Sequence, residues 1–160
     1  MRKNKEMNTK EKYGYNKTNY WETTAKESNL AFLPYVHHLG LQDVKFITED
    51  KYSSWDVEFT YKGKKCICEI KKVKDGYGNG RVETEGYDLE KIKMDKILSA
   101  PAEKRFIVFV DSTSATFLDL ADIDGDWKFQ TWPTYSNGVA GIIRKKVYTI
   151  PFEKSLKIFK

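Results

Sequence analysis

Asp56, Glu69 and Lys71 are the residues whose types and spacing could do chemistry together. They fall in two short runs, Trp55-Asp56-Val57-Glu58-Phe59 and Cys66-Ile67-Cys68-Glu69-Ile70-Lys71, separated by a tight turn at Tyr61-Lys62-Gly63-Lys64. Successive side chains of a strand alternate faces. Asp56 and Glu58 therefore share one face of the first run, and Ile67, Glu69 and Lys71 share one face of the second. Trp55, Val57, Phe59, Cys66, Cys68 and Ile70 fall on the opposite, apolar face. Two carboxylates and a lysine rising from a hydrophobic hairpin are costly unless something gathers them, and a divalent cation would do so. The plainer alternative is a solvated hairpin face on which Lys71 pairs with Glu69 or Asp56.

Other elements must hold this hairpin in place. Residues 1–17 are rich in Lys and Asn and read as a flexible basic arm, leaving residues 18–160 as a single domain. Asn19-Tyr20-Trp21-Glu22 has the spacing of a capping box and predicts a helix from Asn19. Pro34 predicts a kink or a new first turn in that helix, and Gly40 its end. Strands are expected over residues 43–48, 54–61 and 64–73. The Gly-rich stretch 74–81 predicts an exposed, mobile loop. Leu89, Ile92, Lys93, Lys96 and Ile97 recur at helical spacing and predict a helix over 88–100, stopped by Pro101. The continuous apolar run in 105–111 reads as a central strand. Further strands are expected over 115–120, 127–132 and 145–150, and Phe152, Leu156 and Phe159 suggest a short closing helix.

The acidic-x-Lys pattern also begins at Asp43, Glu49 and Asp126, but only the Glu69 copy stands mid-strand, after a tight turn and an upstream Asp in an apolar strand. In that context the hairpin resembles the PD-(D/E)XK nuclease superfamily, with Trp55 where the Pro of the name would stand. The order α, β, β, β, α, β is similar to that superfamily's core. The segment from Gly86 to Leu98 looks like the helix of small phage and mobile-element members, and Arg144 to Pro151 like their closing strand. The resemblance implies an α/β fold: a mixed sheet with a helix on each side, a restriction-endonuclease-like αβββαβ core, extra C-terminal strands and the short closing helix.

It also implies an activity, the metal-dependent hydrolysis of phosphodiester bonds in DNA, with Mg²⁺ or Mn²⁺ as cofactor. Asp56 matches the central metal ligand and Glu69 the second, with Ile70 and Glu22 in the same metal set. Lys71 would orient the attacking water and stabilise charge on the phosphate. Lys93 resembles a family lysine that leans over the site. Lys72, Lys74 and Arg81 would hold phosphates of the flanking backbone. Each has a simpler role as well. Glu22 can bond back to the Asn19 amide, Glu27 competes for its place, and Lys93 can snorkel over core surface. A catalytically inactive module of the same fold, binding nucleic acid or a host protein, is the alternative. A homodimer is an assembly the resemblance allows.

Composition sets the outer bounds. A chain of 160 residues with 40% hydrophobic and 14% aromatic residues can form one folded domain with its own core. Its net charge of +5 suits a polyanionic partner, although a surplus of Lys also serves solubility. No apolar run reaches the length of a membrane span and no signal segment opens the chain, so a soluble, intracellular protein is expected, and the resemblance to phage members implies the cytoplasm of a host cell. Cys66 and Cys68 on one strand would lie roughly 6.5–7 Å apart with parallel side chains, which favours reduced, buried thiols over a disulfide. Zinc held by these and His37-His38 lacks ligand spacing.

Overall fold

Both faces of one sheet carry a hydrophobic core, and the candidate residues stand at the margin of the second. The structure, a computed structural model, describes residues 17–48, 53–75, 86–136 and 138–160, with the side chains of 17–25, 135 and 136 excepted. In chain order the elements are α1 (Lys17–Leu39), β1 (Gln42–Phe46), β2 (Val57–Tyr61), β3 (Lys64–Lys72), β4 (Gly86–Glu90), α2 (Lys91–Leu98), β5 (Lys104–Val110) and β6 (Ser114–Asp119). After a 3₁₀ turn at Leu120–Asp122 come β7 (Lys128–Ser136), β8 (Val139–Pro151), a second 3₁₀ turn at Phe152–Lys154, and β9 (Leu156–Phe159). Six strands form a mixed sheet in the order β1-β2-β3-β5-β6-β9, and three form a smaller antiparallel sheet, β4-β8-β7.

The alternation of strand side chains explains the two cores. From β3, Cys66, Cys68 and Ile70 pack with Phe32 and Tyr35 of α1, whereas Ile67 packs with Met94 and Ile97 of α2. In β5, Val108 and Val110 join the first core, Ile107 and Phe109 the second. A strand covered on both faces has no polar side, hence the continuous apolar run. β3 and β5 are parallel, and such a pair requires a long crossover, supplied here by β4 and α2.

Local chemistry accounts for the joints. Gly40 takes φ +66°, and the Gly40 and Leu41 N–H groups donate to His37 and Val36, the Schellman end of α1. Lys62 and Gly63 both have positive φ, as a two-residue hairpin turn between β2 and β3 requires.

The chain is thus a mixed α/β fold with helices and a multi-strand sheet, the class its patterning predicts. Several elements differ from expectation. The helix starts at Lys17, so Asn19 lies inside it rather than capping it, and the same helix includes Pro34, so no new first turn begins there. Residues 86–90 form a strand, because Gly86 to Glu90 pair with β8 and the helix begins only at Lys91. No closing α-helix forms: Phe152 opens the second 3₁₀ turn, and β9 completes the edge of the large sheet beside β6, with Leu156 and Phe159 opposite Phe117 and Ser114. β7 and β8 run far longer than the strands expected at 127–132 and 145–150. No helix among the described residues is long and apolar enough to cross a membrane.

Candidate active site

The ladder between β2 and β3 ends at the pair Val57↔Cys68, and the chain leaves regular geometry there. The Asp56 N–H donates to the Cys68 carbonyl at 2.9 Å, out of register with the ladder. The Asp56 carboxylate in turn accepts the Ile70 N–H at 2.7 Å, replacing the strand partner that β3 has lost. This break also moves Trp55. Alternation places it with Val57 and Phe59, yet it packs with the second core, its buried indole N–H without a hydrogen-bond partner among the described residues.

Glu69 sits on the face of β3 that looks towards α2. It is only 6% exposed, a rare state for a carboxylate. Its Oε1 pairs with the Lys93 ammonium, while Oε2 is buried with no hydrogen-bond partner among the described residues. Lys93 reaches it from the first turn of α2. That helix is fixed by Met94 and Ile97 in the core and by the Tyr148 hydroxyl, which donates to Asp95 at 2.8 Å.

Asp56, Glu69, Lys71 and Lys93 form one electrostatic group. Burial raises the pKa of Glu69, opposed by Lys93 and Lys71 and reinforced by the Asp56 charge. Burial raises Asp56 likewise, opposed by the Ile70 N–H and by both lysines. Four of the sequence-predicted residues therefore converge, and the lysines offset the cost of burying two carboxylates.

The remaining candidates fare differently. Lys72 points to the other face of the sheet, 3.7 Å from Glu27 of α1. That exposed pair places Glu27 on the α1 side of the sheet, away from the face that carries Glu69. Lys74 is exposed just beyond β3. Asp75, within the stretch expected to be mobile, is tied down by the N–H and hydroxyl of Ser112 at 2.9 and 2.6 Å. Arg81 and the rest of that loop, the arm up to residue 16, and the side chain of Glu22 lie outside the described residues. Cys66 and Cys68 are free and buried, and burial holds both thiols in the neutral form, whereas His37 and His38 are exposed.

Among the described residues no group of three or more His, Cys, Asp or Glu could hold a metal ion. Among the described residues, Asp56 and Glu69 supply two carboxylates, and Ile70, between Glu69 and Lys71, bonds Asp56 through its N–H. Mg²⁺ is commonly held by one or two carboxylates together with water and substrate phosphate, so the donor set fits that ion. The orphaned Glu69 Oε2 fits it as well.

No protein-family model, curated protein or solved structure matches this chain.

Proposed function

We propose that this chain is a metal-dependent endonuclease of the PD-(D/E)XK kind, hydrolysing phosphodiester bonds in DNA. One observation carries the reading: a buried carboxylate with an orphaned oxygen, Glu69, gathered with Asp56, Lys71 and Lys93 at the end of one hairpin. The parallel β3–β5 pair, with α1 on one face and α2 on the other, supports the finer assignment to a restriction-endonuclease-like core.

In this reading Asp56 and Glu69 would hold Mg²⁺, which supplies a polarised phosphate and a more acidic bound water. Asp56 is oriented for that task by the Ile70 N–H. Lys71 lies on the Glu69 face and supplies the cation that orients the nucleophile and stabilises the developing charge on phosphate oxygen. Lys93 neutralises Glu69 while no other cation does so.

The test is cleavage of plasmid, duplex and branched DNA with Mg²⁺ or Mn²⁺. Wild type should cut, and Lys71→Ala should cut slower by about 10²–10³ while remaining folded. A second reading has its own support in the Lys93–Glu69 pair, which satisfies part of the site without any metal. Normal DNA binding by the wild type, with no cleavage of any substrate, would establish a catalytically inactive nucleic-acid-binding module instead.

A further inference from the structure

Residues 127–151 contain Lys128, Arg144, Lys145 and Lys146 and no Asp or Glu, so this segment alone carries four of the charges behind a net +5. It folds as an antiparallel ribbon with a register running from Lys128↔Val147 to Ser136↔Val139. β4 pairs with β8 only from Val147 onward. Residues 139–146 therefore have β7 as their only strand partner among the described residues, and the ribbon extends roughly 27 Å past β4.

Cross-strand partners share a face. One face carries Phe129, Thr131 and Pro133 beside Lys146, Arg144 and Ile142, all exposed. The Arg144 guanidinium lies 3.7 Å above the Phe129 ring, and the Lys146 ammonium 4.7 Å from that of Trp127. Neither cation has an ion-pair partner among the described residues. The ribbon's acidic contacts lie on the other face, Lys145 to Glu90 at 3.1 Å and Lys128 to Asp88 at 3.8 Å.

We propose that this face of the β7–β8 ribbon binds the sugar-phosphate backbone of duplex DNA. Aromatic rings hold its cations without neutralising them, which leaves them for phosphate. A two-stranded ribbon also has the width that a major groove admits. By alternation Tyr148 shares the face of Arg144 and Lys146, and its hydroxyl donates to Asp95 of α2, the helix that carries Lys93, so this face leads towards the proposed catalytic cluster. The choice of DNA rests on the nuclease reading; the choice of surface does not. A second copy of this chain is the weaker occupant. The exposed Val139, Ile142 and Ile143 would suit it, but a ribbon-to-ribbon contact opposes like charges.

The experiment measures binding of a mixed-sequence DNA duplex to the full chain in EDTA, over about 50 to 200 mM salt. Arg144→Gln/Lys146→Gln should weaken binding roughly tenfold and lower the salt slope by about 2. Circular dichroism should match wild type, because both side chains are exposed. Wild-type affinity and slope in that double variant would overturn the proposal, as would a wild type that binds no duplex. A dimer dissociated by Ile142→Asp/Ile143→Asp, with DNA binding indifferent to the two cations, would reassign the ribbon to self-association. No metal is present, so cleavage is not read: ribbon-dependent binding by a chain that never cuts DNA retains this inference and removes the nuclease reading alone.

Discussion

The Asp56 carboxylate accepts the Ile70 N–H and also carries a charge that burial opposes, so substitution can separate its two roles. Asparagine keeps an acceptor oxygen and loses the charge. Asp56→Asn should therefore be at least as stable as wild type to urea at neutral pH, yet lose cleavage and metal binding. Asp56→Ala should in addition lose about 1–3 kcal/mol of stability, the cost of leaving a buried donor unpaired. Glu69 permits a sharper test. Its folded pKa, like that of Asp56, lies above the ordinary carboxylate value, so the folded state holds these protons more tightly than the unfolded chain. Their effect is to reduce stability as pH rises from about 4 through the raised folded values, and to leave it lower above them. Glu69→Gln removes one of the two groups, so its stability relative to wild type should rise with pH across that window. Equilibrium unfolding of both proteins between acid and neutral pH checks this. A fall at neutral pH would mark the Glu69–Lys93 pair as structural support.

At the scale of elements, the approach of β4 to β8 decides where Lys93 stands. A Cβ on Gly86 would lie 2.2 Å from the Ile150 carbonyl oxygen, so no side chain fits without parting the two strands. Gly86→Ala should cost roughly 1–3 kcal/mol in urea unfolding. Cleavage should fall with it, because β4 runs directly into α2 and carries the Lys93 helix. The same element shows where sequence patterning gives out. Leu89 fits a helix with Lys93 and Ile97 by spacing, but Thr149 bonds Asp88 at 2.8 Å and the β8 ladder claims residues 86–90 as strand. Ile92, counted towards the same helical pattern, is 67% exposed. The length of the β7–β8 ribbon had a signal of its own, Asn137-Gly138 between two β-prone runs, and Gly138 takes the positive φ that such a turn needs.

For the whole molecule, the proposed metal site links cation, proton and folding. A cation bound only by the folded chain raises its stability, by about 2.7 kcal/mol when free metal is a hundredfold above its dissociation constant. Protons and cation compete for the same two carboxylates, whose pKa values are already raised. Mg²⁺ or Mn²⁺ should therefore raise the thermal midpoint more at pH 7 than at pH 5, and should not do so in Asp56→Asn. An equal rise in that variant would place the cation elsewhere.

Sequence by itself determined the α/β class, the β2–β3 hairpin and the shared face of Glu69 and Lys71, because strand alternation and turn chemistry are local. It also singled out Lys93, though without deciding between core cover and site. Tertiary structure gave it a partner. Packing of α2 on the second face of the sheet brings the Lys93 ammonium to Glu69 and buries a carboxylate that alternation alone would leave in solvent. It also overruled strand alternation at Trp55, where the ladder ends, and helical spacing at β9, which an open sheet edge took as a strand. The reason is common to all three: spacing along a chain fixes which side chains share a face, but burial depends on what distant segment covers that face.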